Sequence, residues 1–227
     1  MRKWFAIVAL AASFASPATL KADLWVGGHG DIGIGLVGNT LDLHLHFADA
    51  VDKGGGGSIP AGEYGPGDHT IFVPGPTVDR PAGSQWDFLG APTDKIWFLP
   101  ASNDPNKPYL GWATEELSPA DFNGNITVRL TSLVSSPADS NFSVWSLDPF
   151  GTPNSLMSTA NGISNADQFL LAPANHEHFF VVSRGKVSTI LNSPPLVITK
   201  PSATSPEPVS SSSLSACPNP PHSPSWL

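Results

Sequence analysis

The chain has 227 residues, of which 13% are charged, and a formal net charge of −8 at neutral pH. Nucleic-acid binding needs basic patches that face the phosphates, so this acidic balance argues against a nucleic-acid partner. With one cysteine the chain cannot form an internal disulfide, and its 21 glycines and 24 prolines favour short strands and turns over helices.

The first 22 residues have the layout of a secretory signal peptide. A cationic start over residues 1–3 is followed by an apolar run over 4–15 and by small residues that end at Ala22. The apolar run is shorter than the roughly 20 residues that cross a bilayer. We expect cleavage after Ala22, with Ala18 as the alternative, and hence a mature protein that is secreted, periplasmic or held at the cell surface.

Alternation of apolar and polar residues predicts two strands near the start of the mature chain. They cover residues 31–37 and 41–47, and the Gly-Asn pair at 38–39 between them is a hairpin-turn signal. Gly33 and Gly35 interrupt the first strand, which indicates a bulge or a close backbone approach.

The rest of the mature chain contains further short strand candidates but no amphipathic helical pattern of ten residues. Residues 52–81, rich in glycine and proline, are expected to be irregular except for one short strand over 69–73. The later strand candidates cover residues 87–89, 95–99, 125–133, 141–147, 168–171, 176–183 and 187–191. Many short strands separated by such turns predict an all-β fold, an antiparallel β-sandwich of the immunoglobulin or jelly-roll kind, with a β-barrel as the alternative.

Composition divides the chain into three parts. Residues 1–22 are the predicted signal peptide, and the strand pattern covers residues 23–200, enough for one domain with its own core. Residues 201–227 contain nine serines and seven prolines and almost no apolar pattern, so this tail is expected to be disordered.

Four of the seven histidines lie in two His-x-His doublets, His44 with His46 and His176 with His178. Residues i and i+2 of a strand share a face, so each doublet can direct two imidazoles at one metal ion. Zinc takes about four ligands, and the two doublets supply four nitrogens if their strands are neighbours. The alternative is that these imidazoles lie on the solvated faces of two strands.

A fifth histidine, His29, precedes Asp31 in the glycine-rich segment GGHGDIG, which lets the backbone come close to an ion. These two side chains can replace one of the four imidazoles or add a further ligand. The sequence therefore predicts one site for zinc or another divalent metal. No residue is assigned to catalysis or to an organic cofactor. The candidate ligands are His29, His44, His46, His176 and His178.

The tryptophans suggest carbohydrate binding as a competing function. Five of them lie between residues 25 and 145, and an exposed aromatic ring is a platform on which a sugar can stack. Trp97, inside an apolar run, is expected to be in the core, whereas Trp112, beside a glycine, is the candidate for exposure. A cell-surface glycan is therefore the alternative ligand.

A metal-dependent enzyme of the cupin type is the third possibility. The spacing around His44 and His46 matches the start of the cupin metal motif. Asp49 stands one residue before the place where that motif has a glutamate, and the second cupin motif is not in register. Glu115 and Glu116 are adjacent, so on a strand they would face opposite ways; we expect a surface turn with one buried carboxylate rather than a catalytic pair.

Eight segments of the chain form an ordered set. They are GGHGDIGIG (27–35), LDLHLHF (41–47), WDFLG (86–90), KIWFLP (95–100), LGWATEEL (110–117), FNGNITVRL (122–130), FSVWSLDPFGTP (142–153) and NHEHFF (175–180). Together they resemble the bacterial surface-anchored repeat domain, also called the choice-of-anchor M domain, over roughly residues 24–182. The resemblance implies an exported, all-β, surface-attached protein, and some family members occur beside metal-type ABC transporters. The GH-D and His-x-His patterns belong to the family pattern, so the resemblance also supports the metal hypothesis.

The chain differs from that family towards its C-terminus. After residue 180 the family's glycine-containing final strand has only a loose counterpart. The SPEP segment at 205–208 resembles the opening of a PEP-CTERM sorting signal, but residues 209–227 lack the apolar helix and arginine cluster that should follow. We interpret the tail as a degenerate or frame-shifted sorting signal, so that membrane contact is transient and limited to the signal peptide or to this tail.

These observations predict an exported, surface-associated β-domain without enzymatic activity that binds a divalent metal, zinc first. A carbohydrate-binding module is the first alternative, and a cupin-like enzyme is the second. Metal content separates the first two functions, and turnover of a substrate at an open coordination position would identify the third.

Overall fold

The computed structural model of the protein describes residues 22–133, 135–187 and 196–200. The predicted signal peptide up to residue 21, the predicted disordered tail and most of the last strand candidate, 187–191, lie outside the described residues. Within the described ranges, no helix has the length and apolar character needed to cross a membrane.

The described part of the chain contains seventeen strands and two short 3₁₀ helices. The first nine strands are β1 Asp23–Trp25, β2 Gly28–Val37, β3 Thr40–Phe47, β4 Val51–Gly54, β5 Gly57–Ile59, β6 Gly62–Tyr64, β7 His69–Ile71, β8 Val78–Asp79 and β9 Lys95–Leu99. The other strands are β10 Pro108–Ala113, β11 Ile126–Leu130, β12 Ser135–Leu147, β13 Pro153–Ser158, β14 Gln168–Leu171, β15 His176–Glu177, β16 Phe180–Val187 and β17 Leu196–Thr199. The 3₁₀ helices cover Ser84–Leu89 and Pro119–Asp121.

Most of these strands belong to three sheets. One five-stranded sheet has the order β15-β10-β2-β3-β6 and is called the histidine sheet below, because four of the five candidate histidines lie on its strands. A second five-stranded sheet has the order β13-β12-β16-β9-β8, and a three-stranded sheet has the order β14-β11-β17. No sheet of the described residues closes into a barrel, so the predicted all-β sandwich is confirmed and the barrel alternative is not.

The main hydrophobic core lies between the histidine sheet and the other two sheets. Its buried cluster joins Ile32 of the histidine sheet to Val128 of the three-stranded sheet and Val144 of the second five-stranded sheet. A smaller cluster covers the opposite face of that second sheet, where Leu89 of the first 3₁₀ helix packs with Trp145. Each fully buried aliphatic side chain of this kind contributes about 1.5–3 kcal/mol relative to exposure.

Two strand pairs are parallel rather than antiparallel, namely β2 with β10 and β1 with β7. A parallel pair needs a long connection, and residues 38–107 supply it between β2 and β10 while forming β3 to β9 on the way. The β2–β10 pairing positions the candidate site, because it places Gly111 beside Asp31.

The strand predictions from alternation are confirmed where one face of a strand packs on the core. β2, β3, β9 and β14 lie where strands were predicted, and β11 and β12 overlap their predicted ranges. The predicted hairpin turn is present, with a positive φ of 63° at Gly38. No register shift interrupts the β2–β3 pairing, so Gly33 and Gly35 do not form a bulge.

Other strand predictions are wrong. Residues 87–89, Asp-Phe-Leu, end a 3₁₀ helix, because three residues are too few to show a strand pattern and suit either structure. The predicted strand 176–183 is in fact β15 and β16, which belong to different sheets, so the chain crosses between sheets at His178 and Phe179. The stretch 52–81 forms or overlaps five short strands, β4 to β8, instead of one. The strands β1, β10, β13 and β17 fall outside the predicted strands.

Candidate metal centre

The candidate histidines of the histidine sheet share its outer face. On β2, Ile32 is buried in the core, so its neighbours Asp31 and Gly33 face outward. Strand register places His46 beside Asp31 and His44 beside Gly33 on β3. Both histidines therefore lie on the outer face.

On the other side of β2, the parallel strand β10 extends this face. Its register places Tyr109 beside His29 and Gly111 beside Asp31. The short edge strand β15 pairs antiparallel with the end of β10 and adds His176. Residues far apart in the chain thus meet on three adjacent strands.

Three histidines and one carboxylate converge at this edge of the sheet, and we call them the His/Asp cluster. Its members are His29, Asp31, His176 and His178, and one ligand atom from each lies within 4.8 Å of all the others. Asp31 Oδ1 is 3.3 Å from His29 Nε2 and 2.9 Å from His176 Nε2. Zinc–nitrogen bonds of about 2.0–2.1 Å place tetrahedral ligand atoms about 3.3 Å apart, so the spacing suits such an ion.

Two ligand atoms of the His/Asp cluster are buried without a hydrogen bond. Asp31 Oδ1 and His176 Nε2 approach each other to 2.9 Å, yet not in hydrogen-bonding geometry, and neither has a hydrogen-bond partner among the described residues. An unsatisfied buried polar atom costs about 1–3 kcal/mol, so most such atoms are paired. A cation between these two atoms would satisfy both of their lone pairs.

His178 is held as a neutral imidazole with Nε2 available. Its Nδ1 donates to the carbonyl oxygen of Leu110 at 2.9 Å, which leaves the lone pair on Nε2. Burial lowers the pKa of His178; the hydrogen bond to Leu110 opposes this effect, and His176 and His29 lower the pKa further while Asp31 raises it. A neutral histidine whose other ring nitrogen donates to a carbonyl is the usual form of a metal ligand.

Neighbouring side chains lie beside two of the imidazoles. The Tyr109 ring stacks on His178, with 3.8 Å between ring centroids and 4° between planes. Glu115 Oε1 lies 3.8 Å from His176 Nδ1, the ring nitrogen that does not face Asp31. That separation is longer than a hydrogen bond, so the stacking of Tyr109 is the contact that orients an imidazole of the cluster.

Hydrogen bonds to Thr114 tie the end of β10 to the turn before His176. The Thr114 N–H donates to the carbonyl of Asn175 at 2.8 Å, and its hydroxyl donates to the carbonyl of Ala172 at 2.5 Å. Ala174 has a φ of 55°, which non-glycine residues adopt rarely, and its N–H donates to the Thr114 carbonyl at 2.9 Å. One buried threonine therefore holds a strained turn in the position that aims His176 at the cluster.

Glycine at position 111 leaves the space that the His/Asp cluster occupies. A Cβ on Gly111 would lie less than 3.0 Å from both Asp31 Oδ1 and His176 Nε2. Gly111 does not have a positive φ, so what position 111 requires is empty volume rather than an unusual backbone conformation. The cluster thus fills a cradle between strands, and its donor set of three nitrogens and one oxygen suits a divalent transition metal.

The structure does not bring His44 and His46 to this cluster. The prediction of one shared site assumed that the strands of the two doublets are neighbours, and this is wrong, because β2 and β10 lie between β3 and β15. Three strand spacings amount to about 14 Å. His44 lies instead with Glu63 and Glu116, and His46 belongs to neither group.

The residue that carried the carbohydrate alternative is buried. Trp112 has 0% exposure and packs edge-to-face on Phe169, so the expectation that it is an exposed platform is wrong. It alternates with outward-facing Gly111 on β10 and therefore faces the core. Trp97, expected in the core, is half-buried.

The features that suggested an enzyme are arranged differently from the expectation. The rings of His44 and His46 are 6.4 Å apart and belong to no common ligand group. Glu115 and Glu116 follow β10 in a turn, as predicted, but both are exposed, so the expected buried carboxylate is not found. The sequence around Glu116 and Glu63 gives no sign that these residues lie near His44. Their proximity to His44 follows from the strand pairings of β10 and β6.

Comparisons with protein-family models, with curated proteins and with solved structures give no match for this chain.

Proposed function

We propose that this protein is an exported β-sandwich domain that binds a divalent transition metal, zinc first, through His29, Asp31, His176 and His178. The observation that carries the proposal is the convergence of four ligand atoms, two of them buried without a hydrogen bond. A purely structural polar cluster would be expected to satisfy its own buried atoms.

The donor set favours zinc and a binding role over catalysis. Imidazole nitrogens suit zinc, copper, iron and nickel, and a carboxylate oxygen is a common fourth ligand of zinc. Four protein ligands complete a tetrahedral shell, whereas hydrolytic zinc sites keep one position open for water. We therefore propose a protein that holds or presents metal and has no enzymatic activity.

The proposed location at the cell surface rests on the sequence. The signal-peptide pattern of residues 1–22 supports export, and the resemblance to surface-anchored domains supports attachment. His29 has 40% side-chain exposure, so a metal in the His/Asp cluster would be reachable from solvent. A surface protein with such a site can exchange metal with its surroundings.

The test is metal content, measured on protein purified without chelator or nickel resin. Elemental analysis of the wild type is compared with His176→Ala and Asp31→Asn after equilibration with zinc at neutral pH. We expect each variant to bind one zinc equivalent fewer than the wild type, because each loses one of four ligands.

His46→Ala is the matched control, since His46 is an imidazole of the same sheet face that belongs to neither ligand group. It should retain the wild-type zinc content. If His176→Ala retains all the zinc while remaining folded, the His/Asp cluster is not the site. If His46→Ala loses zinc as well, the four residues of the His/Asp cluster are not the ligand set.

A further inference from the structure

We propose a second and independent cation site on the same face of the histidine sheet, formed by His44, Glu63 and Glu116 and called the His/Glu cluster. One ligand atom from each of the three lies within 4.8 Å of the other two. They come from β3, from β6 and from the turn after β10, so the fold assembles them from three separate segments.

His44 is placed as a ligand rather than as a solvated surface residue. Its side chain is only 7% exposed, although it lies on the outer face of the sheet. Its Nε2 is 2.9 Å from Glu116 Oε1. The register of β3 with β6 pairs His46 with Glu63, so the Glu63 side chain starts on the same face.

Two glycines of β2 leave room for the His/Glu cluster. A Cβ on Gly33 would lie less than 3.0 Å from His44 Nε2, and a Cβ on Gly35 would lie 2.7 Å from Glu116 Oε2. Gly111 plays the same part under the His/Asp cluster, where a Cβ would meet two ligand atoms. Both clusters therefore sit in depressions that the sheet leaves open for them.

The charge of the His/Glu cluster calls for a cation. Among the ion pairs of the described residues, Glu116 has only His44 as its partner, and Glu63 has none. The ligand oxygens of Glu63 and Glu116 lie within 4.8 Å of each other, and like charges at this distance destabilise each other. His44 Nε2 donates its hydrogen to Glu116 Oε1 when no metal is bound, and a divalent cation would replace that hydrogen on Nε2 and neutralise both carboxylates.

The ligand type indicates which cation this site takes. One nitrogen and two carboxylate oxygens form a harder donor set than that of the His/Asp cluster, and such a set suits Mn²⁺ as well as Zn²⁺. Three protein ligands leave coordination positions for water, and Glu116 is 40% exposed. We therefore infer a weaker and more readily exchanged ion here than in the His/Asp cluster.

Mn²⁺ titration followed by electron paramagnetic resonance tests this site, because bound Mn²⁺ no longer contributes to the six-line spectrum of the free ion. The protein is first loaded with one equivalent of zinc, which should fill the tighter His/Asp cluster. We expect one Mn²⁺ equivalent to bind, and Glu116→Gln to weaken its binding at least about tenfold.

Glu115→Gln is the matched control, because it removes the same charge from the adjacent exposed residue. It should leave Mn²⁺ affinity within a factor of about two of the wild type. Because His44 is buried, His44→Gln is used only if circular dichroism shows that it folds; Glu116→Gln does not depend on it. Unchanged Mn²⁺ binding in Glu116→Gln, equal losses in Glu115→Gln and Glu116→Gln, or no Mn²⁺ binding by the wild type would each overturn the proposal.

The failure of this site and the failure of the proposed function are distinguishable. Loss of zinc in His176→Ala with no effect of Glu116→Gln on Mn²⁺ supports the His/Asp cluster alone. The reverse result, in which His176→Ala keeps the wild-type zinc content and Glu116→Gln loses Mn²⁺ binding, supports the His/Glu cluster alone.

Discussion

Adding a single methyl group at Gly111 should abolish metal binding by the His/Asp cluster while leaving the fold intact. The Cβ of Gly111→Ala would lie less than 3.0 Å from Asp31 Oδ1 and His176 Nε2 and 3.0 Å from His178 Cε1. Ordinary non-bonded separations are about 3.5 Å or more. Each of these groups must therefore move by roughly half an ångström or more.

Such a movement is large for a metal site and small for the fold. Ligand distances in metal sites hold within about 0.2 Å, so displacing two ligand atoms should lower zinc affinity by at least about 10- to 100-fold. Overpacking typically costs about 1–3 kcal/mol, and less where side chains on an outer face can turn away. For a domain of this size, 1 kcal/mol corresponds to about 2–4 °C in Tm.

The assay combines a chelator competition for zinc with thermal unfolding at two zinc concentrations. In the wild type, free zinc at 100 times Kd should stabilise the protein by about 2.7 kcal/mol. Gly111→Ala should lose this protection. Gly27→Ala is the matched control, because Gly27 has no positive φ and its Cβ would make only ordinary contacts, the nearest at 3.6 Å to Asp52. Wild-type zinc affinity and protection in Gly111→Ala would refute the assignment of the ligands.

Two further predictions concern pH and the core. Because burial lowers the pKa of His178 below its ordinary value of about 6.5, the unfolded chain takes up more protons than the native state as pH falls below about 6.5. The stabilising contribution of His178 to the metal-free protein should thus be fully present above that pH and should decrease below it. Urea unfolding at pH 7.5 and 5.5 should therefore show a smaller loss of stability in His178→Gln than in the wild type. The titratable groups that face this ring, His29, His176 and Asp31, remain in both proteins. An equal decline in wild type and variant would contradict this assignment. Truncation of the buried Trp112 to alanine should lower the free energy of unfolding in urea by about 3–5 kcal/mol. If the variant instead keeps the wild-type free energy of unfolding but loses binding to a glycan, the carbohydrate alternative is supported.

Alternation predicts a strand well only when the two faces of that strand differ in polarity. β3 is such a strand, since leucines face the core and aspartate and histidines face outward. β10 is not, although its geometry is the same. Leu110 and Trp112 face the core, but the outward residues are Tyr109, Gly111 and Ala113, which look no more polar. The strand that links the two parts of the site therefore has no two-residue pattern in the sequence.

Local periodicity also does not predict which strands are neighbours in a sheet. The two His-x-His doublets look alike in sequence, yet they occupy different structures. His44 and His46 both lie within β3, an interior strand of the histidine sheet. His176 begins an edge strand, and His178 lies where the chain crosses to another sheet. At that crossing the His178 ring is hydrogen-bonded to the Leu110 carbonyl, and the spacing of residues in the sequence does not predict this contact. Asp31, predicted as a substitute ligand, lies at the centre of the His/Asp cluster because β10 pairs with β2 in parallel.

The glycines of the histidine sheet explain why histidine and carboxylate side chains come together on its outer face. An imidazole or carboxylate on a sheet surface normally stands beside a side chain of the neighbouring strand, which keeps it apart from other ligands. At Gly33, Gly35 and Gly111 that neighbour is missing, and His44, Glu116 and the pair Asp31 and His176 occupy the space. Both clusters therefore depend on glycine on the adjacent strand as much as on histidine. Glycines at i and i+2 facing a His-x-His strand are accordingly a pattern to look for in β-proteins, because they place imidazoles where an ion can be surrounded.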